Sequence, residues 1–168
     1  MLDWEEIKKF YKKKSIHLIE DSAHSIGSYF KNKHHGNFGI ASSFSFSAPK
    51  IITTGQGGMI VTNSSKIYKK IKRIKNFGRI TDGNDFYESI GYNFKFTDLQ
   101  AVVGIEQMKK LDYRVKRMRE IYNLYYKNLN DIVKILEPLN DEWLPWFVDI
   151  YIDDSENLMN FLKIHKIQ

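Results

Sequence analysis

Ser43-Phe-Ser-Phe-Ser-Ala-Pro-Lys-Ile-Ile-Thr-Thr-Gly-Gln-Gly-Gly58 is the stretch on which the fold turns. It opens with hydroxyl and aromatic residues in alternation, the period of a strand, with Phe44 and Phe46 on one face. Pro49 has no N–H to give a ladder, so the strand must stop at Ala48-Pro49 and Lys50 falls in the break beside its end. Gly55, Gly57 and Gly58 then permit a turn with positive φ, and Met59-Ile-Val-Thr62 reads as the returning strand. A lone lysine at a strand end, among hydroxyls and glycines, is suited to condense with an aldehyde cofactor and then to move protons. Read alone, it is more plainly a surface lysine before a Gly-rich hairpin. Its neighbours must decide.

Upstream, Asp3 to about Lys14 carries Trp4, Ile7, Phe10 and Tyr11 at helical spacing, and Ile16-His-Leu-Ile-Glu-Asp21 follows as a short buried strand. A helix feeding a strand suggests a parallel α/β sheet, in which ligands collect at the carboxyl ends of strands. Asp21 stands at such an end, although an Asp there also caps the next turn through its own backbone. His24 follows three residues later and is equally a polar loop residue. His34 to Phe38 reads as a loop or short hairpin. His24, His34 and His35 fit no common zinc spacing, and His34 and His35 point to opposite sides of an extended chain, so a metal site is rejected.

Downstream, Asn63-Ser-Ser caps a helix through Ile67, Ile71 and Ile74 that stops near Phe77-Gly78. Its other face bears Lys66, Lys69, Lys70, Lys72, Arg73 and Lys75, a basic cluster of the kind a nucleic acid could use but that reads more simply as a solvated face. Arg79 to Glu88 is loop. Thr97 or Asp98 then caps a long helical region, with Leu99, Val102, Val103, Met108 and Leu111 on its apolar side. A second helical stretch starts at Asp112 and carries Val115, Met118, Tyr122, Tyr125 and Leu129. Trp146-Phe-Val-Asp-Ile-Tyr-Ile152 alternates like an antiparallel strand, and Glu156 to Ile164 closes as a helix. A small α/β module is therefore expected from residue 132 onward, unfinished at residue 168.

The chain has 168 residues, 26 Lys plus Arg against 20 Asp plus Glu, a net charge of +6 and no cysteine. Its 42% hydrophobic and 14% aromatic content suffices for a packed core. Without cysteine it has neither a disulfide framework nor a thiolate metal site. No run approaches a membrane span, and the opening Met1-Leu-Asp-Trp-Glu-Glu is unlike a signal peptide. A soluble, cytoplasmic protein is expected.

Three ordered motifs carry a resemblance: Ile19-Glu-Asp-Ser-Ala-His-Ser-Ile-Gly27, the Ser-Phe-Ser-Phe block with Lys50, and Ile90-Gly-Tyr-Asn-Phe-Lys-Phe-Thr-Asp-Leu-Gln-Ala101. Together they resemble the DegT/DnrJ/EryC1/StrS family of PLP-dependent aminotransferases, which act on keto groups of nucleotide-linked sugars. The resemblance implies a partial type I PLP-dependent transferase fold of the α/β class. Residues 1–131 would be the later part of an aspartate aminotransferase-like large domain, and 132–168 the start of the small C-terminal domain. It also implies glutamate as amino donor, a 4-keto-6-deoxyhexose substrate of the perosamine or viosamine type, and a homodimer in the full-length enzyme, with no nucleic acid or membrane as partner.

Residue by residue, the resemblance assigns Lys50 to hold pyridoxal 5'-phosphate (PLP) and then shuttle a proton. Asp21 would pair with the pyridinium nitrogen and keep it protonated, which preserves the ring as an electron sink. His24 would hydrogen-bond the ring oxygen, Ser45 the phosphate, and Asn93 the partner's phosphate across the dimer. Gln56 stands where Glu is usual and Lys95 where Arg is common, and both are expected to change local pairing only. A dehydratase branch has His at the lysine position, so Lys50 argues for amino transfer. Members also carry a long portion before the equivalent of Leu2, with a phosphate-binding turn and an aromatic residue that stacks on the cofactor, and they continue past His165-Lys-Ile-Gln168. This chain is therefore expected to be the middle of an enzyme, a fragment possessing site residues but an incomplete pocket. Two alternatives stand beside it: a non-catalytic remnant that pairs with a full-length relative, and a basic nucleic-acid-binding domain.

Overall fold

The structure, a computed structural model, describes residues 3–83, 85–137 and 142–167. Helix α1 (Trp4–Lys14) begins at Asp3, whose carboxylate accepts the N–H groups of Glu5 and Glu6, and ends at Ser15 in the left-handed region. Glu5 and Glu6 in its first turn and Lys12 to Lys14 in its last oppose the helix dipole. Its buried Trp4 stacks on Phe38 at 4.5 Å and donates Nε1–H to His35 Nδ1 at 3.1 Å, fixing the helix to the loop before β4.

The sheet has the order β1-β4-β5: β1 (Ile19–Asp21) runs parallel to β4 (Ala41–Ser45), and β5 (Gly58–Val61) returns antiparallel. Asp21 lies opposite Ser43, and Ser45 opposite Gly58. The carboxyl ends of β1 and β4 thus lie at one edge, followed by His24 and Lys50. The loop between β4 and β5 is pinned at its neck, because Phe46 N–H donates to Gly57 O and Thr54 N–H to Phe46 O. Gly55 and Gly57 take φ of 79° and 149° within it, as their lack of a side chain allows.

Beneath this edge Glu20 is buried, and its carboxylate accepts N–H from Gly36, Phe38 and Gly39 and the hydroxyl of Ser42. A buried carboxylate without such partners would cost several kcal/mol, so the loop 36–39 and the sheet hold each other. The hairpin β2 (Tyr29–Phe30) and β3 (Lys33–His34) leads into that loop, so of the segment His34 to Phe38 only His34 belongs to a hairpin and the rest is loop.

Helix α2 (Ser65–Lys75) is capped by Ser64, α3 (Asp98–Met108) by Thr97, and α4 spans Leu111–Leu129. Beyond it β6 (Lys134–Ile135) pairs with β7 (Ile150–Tyr151), and α5 (Ser155–Ile164) follows. No helix among the described residues is long and apolar enough to cross a membrane.

Three expectations need correction. The strand expected over Ile16 to Asp21 is only Ile19–Asp21 and is not buried throughout: Ile19 is 68% exposed, since β1 pairs on one side alone among the described residues. The apolar side of α3 is uncovered, with Leu99 82% and Val102 60% exposed. The strand expected over 146–152 shrinks to Ile150–Tyr151, because Trp146 and Phe147 turn away toward the sheet edge and pack on His24.

Candidate active site

Asp21 sits at the end of β1 with one carboxylate oxygen accepting Ala23 N–H at 3.1 Å, the Asx-type turn that its position favours. It shares a cavity of about 340 Å³ with His24, Ser22, Ser25, Ser28 and Trp143. His35 also reaches this cavity: it is buried, its Nε2 has no hydrogen-bond partner among the described residues, and burial pushes its imidazole below the usual range despite the opposing charge of Glu20.

Lys50 is placed by the β4–β5 loop. Its N–H donates to Ser47 O at 3.0 Å, and the next carbonyl, Ile51 O, accepts from the guanidinium of Arg114 on α4 at 2.6 Å. Ile52 is fully buried behind it. Lys50 lines a second cavity of about 350 Å³ with Tyr113, Arg114, Arg117, Trp146 and Phe147. The Lys50 ammonium lies 5.1 Å from the centre of the Trp146 ring, which also stacks on His24 at 4.9 Å with 20° between the planes. One indole therefore joins the Asp21–His24 side of the site to the Lys50 side.

Ser45 and Ser47 share a hydroxyl–hydroxyl contact of 3.1 Å at the foot of the same loop, and Ser45 Oγ also accepts Ser47 N–H. Asn93 stands apart. It bridges to Asn76 and lines a different, larger cavity of about 770 Å³ with Ser43, Gln56, Lys95 and Gln100. Gln56 contributes its carbonyl, which accepts from Thr54 and Gln100, and Lys95 lies over the Phe77 ring at 5.0 Å. Thus four of the five expected residues gather at the sheet edge, and Asn93 faces elsewhere.

The donor set suits the cofactor that the resemblance implies. A carboxylate at a strand end can hold a ring N–H⁺, an imidazole a phenolic oxygen, paired hydroxyls an anion, and a primary amine an aldehyde. Of residues 142–147 the sequence pattern singles out only Trp146 and Phe147, as the start of a strand. The segment's signal was compositional: Trp143 and Trp146 flank Leu144-Pro145, and two of the chain's three tryptophans fall within this short span.

The sequence pattern of the DegT/DnrJ/EryC1/StrS aminotransferase family matches residues 1–168. A GDP-perosamine synthase from Escherichia coli O157:H7 is 36% identical over 164 residues, covering 95% of this chain and 45% of its own length. Among solved structures, a Helicobacter pylori aminotransferase involved in the biosynthesis of pseudoaminic acid superposes with TM-score 0.85 at 30% identity, over 99% of this chain and 47% of its own. An E. coli GDP-4-keto-6-deoxy-D-mannose-3-dehydratase with bound hydrated PLP gives TM-score 0.82 at 25% identity, over 99% and 49%. The chain therefore spans about half the length of the relatives it matches.

Proposed function

The chain belongs to the DegT/DnrJ/EryC1/StrS aminotransferase family, and we propose that it is the lysine-bearing part of a PLP-dependent nucleotide-sugar aminotransferase. Its fold is a portion of the type I PLP-dependent transferase fold. The reaction we assign moves an amino group from glutamate to the keto group of a nucleotide-linked 4-keto-6-deoxy sugar. The name of the similar GDP-perosamine synthase favours that substrate class. Residues 1–131 are assigned to the large domain and 132–168 to the start of the small one, a division supported by the separate pairing of β6 with β7.

PLP, when bound, supplies an electron sink for the carbon that loses its proton. The chain's own groups do the rest. Lys50 would hold the cofactor through its Nζ, and its amine is the group placed to take and return the substrate proton. Asp21, through its carboxylate, holds a positive N–H and so keeps the sink effective. The imidazole of His24 orients the ring oxygen, the Ser45 hydroxyl donates to phosphate, and Asn93 reaches a second copy's site from its separate cavity.

The observation that carries this reading is the convergence of Asp21, His24 and Lys50 at one sheet edge, bridged by a single aromatic ring. The test is to add PLP, reduce with borohydride and map the modified lysines by peptide mass. Label concentrated on Lys50, lost in Lys50→Ala and weakened in Asp21→Ala, is expected. Label scattered over the surface lysines of α2 would overturn the assignment for this chain.

A further inference from the structure

Residues 142–147 form a strap that is tied down before it reaches the site. Glu142 accepts the N–H groups of Lys31 and Asn32 at 2.6 Å each, one on each carboxylate oxygen, and its carbonyl accepts Tyr29 N–H at 2.7 Å. Lys31 and Asn32 form the β2–β3 turn with φ of 50° and 60°, the left-handed region that Asn adopts readily in hairpin turns but that is unfavourable for Lys31. The paired charge-assisted bonds offset that cost and make Glu142 a latch specific to this turn. Two residues on, Leu144 N–H donates to the buried Ser28 hydroxyl at 3.0 Å, and Leu144 itself is buried.

Trp146 thus arrives at the site from a fixed start. Its indole contacts both the His24 ring and the Lys50 ammonium, and Phe147 meets both the indole and the His24 ring edge-on. The two groups it touches are those that the cofactor ring must contact at once in the function proposed above. A flat aromatic ring already contacts both, and the Lys50 ammonium is held on its face.

We propose that Trp146, carried on the strap latched by Glu142, is a placeholder at the cofactor site: it holds Lys50 and His24 on one ring and yields that place when an aldehyde cofactor enters. This inference rests on the proposed function, so its test has an arm that needs no PLP.

In that arm the chain is treated with limiting acetic anhydride, and acetylation of Lys50 is compared with that of exposed Lys66 in the same digest. Trp146→Leu removes the aromatic face while keeping an apolar side chain, and Glu142→Gln weakens the latch without touching Lys50. Both should raise the Lys50-to-Lys66 ratio by roughly two- to fivefold, as follows from the ~0.5–1 kcal/mol of a partly exposed cation–π contact. An unchanged ratio in Trp146→Leu overturns the proposal.

In the second arm PLP is added. The Lys50 amine adds to the aldehyde carbonyl, water leaves, and borohydride supplies hydride to give a stable secondary amine. Faster labelling of Lys50 in Trp146→Leu than in the native chain supports the placeholder. Slower labelling would make Trp146 a supporting wall and overturn it. If neither protein labels Lys50 selectively while the acetylation difference persists, the cofactor reading falls, and the placeholder role with it.

Discussion

Glu20 shows how much one side chain can organise. Its carboxylate gathers three backbone N–H groups and a hydroxyl in a buried space, joining β1 to the loop that leads into β4. Glu20→Gln puts an amide N–H₂ against those donors and should destabilise the chain by about 1–3 kcal/mol, read as a lowered urea midpoint. His35, next to this loop, is buried with its pKa below the usual value. The unfolded chain therefore takes up the proton first on acidification, so the stability due to a neutral His35 is complete above about pH 6.5 and is lost as pH falls below it. The urea midpoint should drop between about pH 7 and pH 5, and the drop should be smaller in His35→Gln. The sequence marked Asp21 and Lys50 by their places at strand ends, but it named His35 only to reject it as a metal ligand and held no sign that singled out Glu20. Their roles come from burial, and burial depends on what the rest of the chain covers.

Elements whose ends carry their own partners were legible. Thr97 accepts Gln100 N–H while the Gln100 side chain accepts Thr97 N–H, a reciprocal box that starts α3. Thr97→Ala should cost about 1 kcal/mol, measurable by thermal unfolding, and Thr97→Ser should restore most of it. Ser64 starts α2 and Asp3 starts α1 by the same local chemistry, each positioned by residues two or three away in sequence. The strand expected from Trp146 fared differently. Alternation over 146–152 is a sound strand pattern, yet only Ile150–Tyr151 found a partner in β6. The latch at Glu142 and the stacking on His24 turn the segment before it elsewhere. Both contacts are with residues over a hundred positions away, which no local pattern encodes.

Taken whole, the chain exposes 12866 Å². A compact monomer of its 19.9 kDa mass would expose about 8,700 Å², so roughly half as much again is open to solvent. Much of the excess is apolar: Leu99, Val102, Val103 and Ile105 on α3, Ile90, Tyr92 and Phe94 before it, and Met59 and Ile60 on β5. Such an area favours association. Sedimentation velocity should show concentration-dependent self-association of the isolated chain, reduced in a Leu99→Asp, Val102→Asp double variant that keeps its helical circular dichroism. The sequence by itself determined the helices with their caps, the break that presents Lys50, the strand end that presents Asp21, and the family. Each depends on hydrogen-bonding capacity and backbone freedom within a few residues. The tertiary structure alone decided that Asp21 lies beside Ser43 in the register of β1 and β4, that Asn93 faces a separate cavity, and that Trp146 contacts both His24 and Lys50. These are contacts between segments far apart in the chain, chosen by which surfaces can exclude water together.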